Sequence, residues 1–170
     1  EGSGEVNQTD LVKNALRMRP DRILHGGVRG EEVFDMLQAM NTGHDGSLST
    51  VHANTPNDAL IRLENMLSMA QSKLSPELIR KQIASSIDVI VQIERCRDGH
   101  RRVTKISETH GVNDGQIELV TLFEFELYEN DNQEELQGAF VQRQSTSEKQ
   151  EKLISAGLSR KLRQVLGGQV

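Results

Sequence analysis

Tryptophan is absent from this chain, tyrosine occurs once and cysteine once. The single thiol, Cys96, cannot close an internal disulfide, and one free cysteine in 170 residues fits a reducing compartment, so the cytoplasm is the expected location. A cationic surplus is missing too. With 25 acidic side chains against 20 basic ones and very few aromatics, nothing suggests a surface built to bind nucleic acid, and no such partner is expected. No apolar run approaches the roughly 20 residues needed to cross a bilayer. The start, Glu1-Gly2-Ser3-Gly4-Glu5, has neither the basic nor the apolar region of a signal peptide. It also lacks an initiating methionine, which leaves both processing and a start inside a domain open.

What is present is enough chain for one domain with a core, plus a tail. Residues 9–18 place Leu11, Val12, Ala15 and Leu16 on one helical face, with Asn7 or Thr9 as the cap. Met18-Arg19-Pro20 ends that helix, because proline pushes its predecessor out of the helical region. Residues 22–25 then read as a short buried strand, Gly26-Gly27-Val28-Arg29-Gly30 as a glycine-rich turn, and residues 31–40 as a helix with glutamates at its positive end. After a turn-rich 41–46, alternation predicts a strand over 47–52. Thr55-Pro56 and Ser75-Pro76 each announce a further helix by a cap followed by proline. Helices alternating with strands imply an α/β layer with a largely parallel sheet.

The pattern changes near Asp88. Residues 89–95, 101–110 and 116–127 are β-rich and separated by Arg97-Asp98-Gly99 and Asn113-Asp114-Gly115, which predicts an antiparallel meander. Beyond Tyr128 the chain is acidic and amide-rich and ends in an amphipathic stretch over 147–166, interrupted at Gly157. The expected organisation is 1–128, comprising an α/β part over 1–87 and the meander over 88–128, followed by a polar linker and amphipathic tail over 129–170. There is no internal repeat.

The run from Asp10 to Leu24 (DLVKNALRMRPDRIL), the Val28-Arg29-Gly30-Glu31 that follows, and the run from Asp35 to Asn54 (DMLQAMNTGHDGSLSTVHAN) closely resemble the type II/type IV secretion ATPase family. Within it, the resemblance is to the CpaF-type branch that drives tight-adherence (Flp) pilus assembly, and it extends with falling strength over residues 1–125. The resemblance implies the C-terminal part of a RecA-like P-loop NTPase domain and a homo-hexameric motor using ATP and Mg2+. It further implies a protein that is cytoplasmic and peripheral to the inner membrane, where a pilus or secretion platform protein is its partner. In the family the phosphate-binding loop comes earlier in the chain. These 170 residues contain no G-x-x-x-x-G-K-[ST] and no Gly-Lys pair.

Ligands of open α/β sheets bind beyond the carboxyl ends of strands, where Gly26 and Gly27 stand. By resemblance this segment is the Walker B motif, with Gly27 at the position of the glutamate that polarises water and His25 where an apolar residue is usual. Glycine cannot orient water or support a metal, so little or no hydrolysis is expected. Two substitutes are open. Glu31 or Glu32 reaches the site, or simply sits at a helix N-terminus; His25 acts as a base, or is a structural histidine.

Gly43-His44 through Thr50 and His52 matches the family's histidine box, which lies near nucleotide and the neighbouring subunit. A histidine can donate to a phosphate oxygen in one state and release it in another. From the residues alone, His44 and His52 read as loop and strand histidines. Arg17, Arg19, Arg22 and Arg29 suit phosphate oxygens or a neighbour's nucleotide, against a solvated face or carboxylate pairing. Arg29 lies inside a matching motif, whereas Thr9 stands where the family more often has arginine. No Cys/His quartet exists, so no metal site is expected.

In the helix from Pro56, Leu60, Leu63, Met66 and Leu67 form a packing stripe. Asp58, Arg62 and Glu64 form either a subunit interface or a solvated face. The C-terminal Leu153, Ile154, Leu158, Leu162 and Leu166 dock on their own domain or on a partner, and Lys152, Arg160, Lys161 and Arg163 add a membrane-surface alternative. Two functional readings follow: part of an assembly-motor ATPase, or a catalytically inactive family member acting in nucleotide sensing or oligomerisation.

Overall fold

The computed structural model describes residues 4–128 and 136–166. Contacts divide the chain into two units, Glu1–Ile87 with Gly111–Ile117 and Asp88–His110 with Glu118–Val170.

The first unit is built on four helices. α1 (Gln8–Arg17) is capped by Asn7, not Thr9. The Asn7 side chain accepts from the Asp10 N–H at 2.8 Å and the Asp10 carboxylate accepts from the Asn7 N–H at 3.2 Å, a reciprocal capping box. Arg19, at φ 53, takes the left-handed conformation that closes a helix before proline. α2 (Glu32–Asn41) packs on α1, α3 (Pro56–Ala70) and α4 (Pro76–Ser86), and α3 packs on α4. Thr55 and Ser75 cap α3 and α4 as their Thr-Pro and Ser-Pro pairs require. Leu37, Leu67 and Ile83 are fully buried at the centre. There Ser86 Oγ donates to the Leu37 carbonyl at 3.1 Å and so satisfies a polar group inside apolar surroundings.

The parallel sheet of this unit is shorter than its sequence suggests. β1 (Leu24–His25) pairs with β2 (Leu48–Ser49), Leu24 opposite Leu48 and His25 opposite Ser49. The predicted strands over 22–25 and 47–52 are corrected to two residues each. At one end the Ile23 N–H donates to Ser47 Oγ at 2.9 Å, so a side chain replaces the ladder. At the other end the Thr50 hydroxyl takes the Gly26 carbonyl at 2.9 Å. Nor is β1 a buried strand: Leu24 is 74 % and Leu48 64 % exposed.

One sheet holds β3 (Val89–Arg95), β4 (Arg101–Asn113), β5 (Gln116–Leu127) and β6 (Gly138–Gln142) in that order, and its residues belong to the second unit except for Gly111–Ile117, which belong to the first. β3 and β4 are antiparallel, with a bulge at Gln92/Ile93, and β5 and β6 are antiparallel in continuous register. Asp114 and Gly115, at φ 47 and 73, supply the two left-handed residues a tight hairpin needs. β6 falls where the sequence suggests only linker. Gly138 permits it: a Cβ there would lie 2.3 Å from the Glu126 carbonyl oxygen. Phe125 and Phe140 then meet edge to face at 5.5 Å.

Asp98, read from sequence as a turn residue, also clamps this strand. Its buried carboxylate takes both Arg102 guanidinium nitrogens at 2.8 and 2.7 Å and the Leu136 N–H at 3.2 Å, while Arg102 donates to the Leu136 carbonyl at 3.3 Å. The Arg102 guanidinium holds the Asp98 carboxyl well below the usual carboxylate range. A depressed folded-state pKa contributes stability above the unfolded value, about 3.9, that disappears as pH falls below it. Thermal melts from neutral pH downward are therefore expected to lose an Asp98-linked increment only below about pH 4. In Arg102→Gln that increment should be missing at neutral pH; identical acid profiles for the two proteins would contradict the clamp.

The tail begins on a second buried carboxylate. Glu108, 1 % exposed in β4, accepts from Ser147 Oγ at 2.5 Å, the Glu148 N–H at 2.8 Å and His110 Nε2 at 3.0 Å. Asp88 pairs with Lys149 at 3.3 Å and Lys152 at 3.1 Å. α5 (Gln150–Ser155) and α6 (Ser159–Leu166) follow. They are joined by a left-handed Gly157 (φ 73) with Gly157 N–H to Ile154 O and Leu158 N–H to Leu153 O, the paired bonds of a Schellman turn.

Candidate functional site

The carboxyl end of β1 opens into the glycine turn, and β2 holds it there. Thr50 Oγ1 donates to the Gly26 carbonyl, and the Val28 N–H donates to the Thr50 carbonyl at 2.9 Å. Gly26, Gly27 and Thr50 are thus brought together, with Gly27 between two fixed hydrogen bonds. A Cβ on Gly27 would sit 3.3 Å from Thr50 Oγ1, and its φ lies outside the left-handed region. The backbone therefore does not require glycine at this position. His25 Nδ1 lies 3.3 Å from Ser49 Oγ, its partner in register, which ties the imidazole to the sheet.

The two glutamates after the turn have different places. Glu31 is exposed and makes no side-chain cap. Glu32 is buried and folds back: its Oε1 accepts the Arg29 N–H at 2.7 Å and the Gly30 N–H at 3.1 Å. Burial works against its charged form. The backbone donors of Arg29, Glu32 itself and Gly30, with His25 nearby, prevail and hold the carboxyl below its usual range. The signal for this arrangement was a carboxylate three residues beyond Arg29, able to reach the free N–H groups of the turn. Glu32→Ala is expected to cost about 1–2 kcal/mol in urea unfolding by leaving those N–H groups unpaired. That loss should shrink as pH falls below the ordinary glutamate range and through the lowered value of the folded carboxyl; an unchanged midpoint at neutral pH would refute it.

The two histidines of the proposed box have different neighbours. His44 Nδ1 donates to the Ala39 carbonyl at 3.1 Å, which closes the end of α2 and fixes the proton on that nitrogen. His52 is exposed and lines a cleft of about 530 Å³ with Asn54, Asp58, Ile61, Arg62 and Asn65. Arg17, Arg19, Arg22 and Arg29 all have exposed side chains without an ion pair among the described residues; Arg22 lies against Gly46. Of the charged face of α3, Glu64 pairs with Arg80 at 3.0 Å, whereas Asp58 and Arg62 line the cleft.

These residues do not fit a magnesium-bound water at the turn. The carboxylate adjoining it is occupied by backbone donors, and among the described residues no group of three His, Cys, Asp or Glu side chains can hold a metal.

The family described as "Type II/IV secretion system protein" matches residues 1–166. The chain belongs to that family. Among its curated relatives is a putative conjugal transfer protein of Mycobacterium tuberculosis, 42 % identical over 123 residues, which cover 72 % of this chain and 34 % of the relative. The VirB11 type IV secretion protein of Bartonella quintana is 39 % identical over 111 residues, covering 62 % of this chain and 30 % of that protein. The crystal structure of the VirB11 ATPase of Brucella suis in complex with sulphate matches 61 % of this chain and 32 % of its own, at 30 % identity and a TM-score of 0.57. The chain thus spans about a third of the length of these secretion-family proteins. This chain's α/β fold, with the parallel pair and the antiparallel four-stranded sheet described above, is structurally similar to that VirB11 ATPase. No helix among the described residues is long and apolar enough to cross a membrane.

Proposed function

We propose that this chain is the C-terminal part of the motor subunit of a secretion or pilus-assembly machine, of the CpaF type that serves tight-adherence pili. In that reading it works as a homo-hexamer at an inner-membrane platform, on the cytoplasmic side. Family membership supports the secretion role. The runs from Asp10 to Leu24 and from Asp35 to Asn54 support the finer branch.

The chain by itself is a poor catalyst in this reading. The observation that carries this is Gly27, set between the Thr50 hydrogen bonds at the strand end with no side chain to aim a water. Thr50, Gly26, Arg29, Arg17 and Arg19 are the residues assigned to nucleotide phosphates, with His44 and His52 as reporters of phosphate state. Magnesium and ATP are the ligands of the assembled motor. The second reading, an inactive subunit that senses nucleotide or completes an oligomer, is favoured by the same glycine.

Phosphate release from ATP and magnesium by the purified chain tests this. The expected rate is indistinguishable from the uncatalysed background. Turnover abolished by His44→Ala would overturn the inactive reading.

A further inference from the structure

The tail carries charge of the opposite sign to the rest of the chain. Residues 149–170 hold five basic side chains and one acidic one, so the net charge of −5 leaves −9 on residues 1–148. Along the α5–α6 hairpin those cations divide by position. Lys149 and Lys152, at the root, face Asp88. Arg160, Lys161 and Arg163, on α6, make no ion pair among the described residues.

Three apolar side chains of the same hairpin are also uncovered, while Leu153 and Leu162 are half-buried. Ile154 is 48 %, Leu158 37 % and Val165 63 % exposed, and α5 buries none of its residues. Leu158, Leu162 and Val165 recur at the spacing of one helical face. At about 100° per residue, Lys161 falls on one border of that stripe, and Arg160 and Arg163 lie on the opposite, polar face. The Schellman turn at Gly157 fixes α6 to α5, and Glu108 and Asp88 fix α5 to the sheet.

We propose that the α5–α6 hairpin docks on an anionic lipid bilayer. The stripe of Leu158, Leu162 and Val165 enters the headgroup boundary. The aliphatic stem of Lys161 runs along it, and Arg160 and Arg163 on the polar face add electrostatic attraction to the anionic headgroups. An acidic protein would satisfy the cations but leaves the aliphatic stripe without an apolar medium, whereas a bilayer supplies both. The acidic body is repelled by the same surface, so the tail leads and the body stays in water. Nothing in this rests on the motor reading: a chain that never meets nucleotide would dock equally.

Flotation of the full chain with vesicles tests the proposal. Vesicles of phosphatidylcholine with about 30 % phosphatidylglycerol should carry the protein at low salt, and vesicles of phosphatidylcholine alone should not. Arg160→Gln, Lys161→Gln and Arg163→Gln combined should lower partitioning on the order of a hundredfold, about fivefold per charge. Val165→Asp should lower it roughly tenfold or more while leaving far-UV circular dichroism and Tm unchanged. Failure of the wild-type chain to float with anionic vesicles overturns the proposal. So does flotation that persists in the triple variant. Flotation insensitive to Val165→Asp, with equal binding to soluble polyglutamate, overturns the bilayer as occupant and gives the tail to an acidic protein.

Discussion

Joined behind the phosphate-binding segment of a relative, the chain carrying Gly27→Glu is expected to release phosphate from ATP at least about a hundredfold faster than the same fusion with glycine at 27. The gain is chemical. A carboxylate at the strand end can take the proton of an attacking water or hold it in line, contributions that commonly amount to factors of about 10²–10⁴. The structure removes the usual objection that a glycine is needed there. The φ of Gly27 lies outside the left-handed region, and the added Cβ meets Thr50 Oγ1 at 3.3 Å, a contact the hydroxyl relieves by moving a few tenths of an ångström. Steady-state phosphate release by both fusions, each checked for folding by its melt, decides the matter. Equal rates would mean that position 27 is not where water is aimed.

Glu108→Ala has the next largest expected effect, a loss of about 3 kcal/mol in unfolding free energy. The alanine leaves Ser147 Oγ, the Glu148 N–H and the His110 imidazole without their shared acceptor in a place water does not reach. Because two of those donors begin the tail, the loss should also be local. Limited proteolysis of Glu108→Ala should cut within residues 147–166 under conditions that leave the wild-type tail intact. The same melt and the same digestion pattern for both would show that the tail is held by something else.

The parts of this fold legible in the sequence are those fixed by neighbours along the chain. β3 and β5 run over the residues that alternation and the flanking turns assign, because Arg97-Asp98-Gly99 and Asn113-Asp114-Gly115 bound them. The helices beginning at Pro56 and Pro76 start where their caps say. What was not legible depends on partners far away in sequence. β6 has only five residues, and what places it is room for Gly138 under Glu126 and the ring of Phe125. Glu108 looks like a solvent-facing strand residue until Ser147 and Glu148, about forty positions on, arrive over it.

The site divides in the same way. That Gly26, Gly27 and Thr50 meet follows from parallel pairing of β1 with β2, a topology the alternation of helices and strands implied. Choosing between Glu31 and Glu32 did not follow, since both begin the same helix. Only the return of the chain at Arg29 and Gly30 gives Glu32 its two donors. The resemblance assigned His44 and His52 to one box, whereas local bonds give them separate neighbours: the end of α2 for one, the cleft beside α3 for the other.

The pairing of Leu24 with Leu48 has a practical side. Two residues per strand make a template rather than a finished layer, and among the described residues each outer margin still offers backbone donors and acceptors to any extended peptide that arrives. With both leucines facing water, such an arrival would gain apolar cover along with its hydrogen bonds. Preparations of this polypeptide should therefore have a concentration ceiling, and a guest segment that seats itself on that margin should raise it.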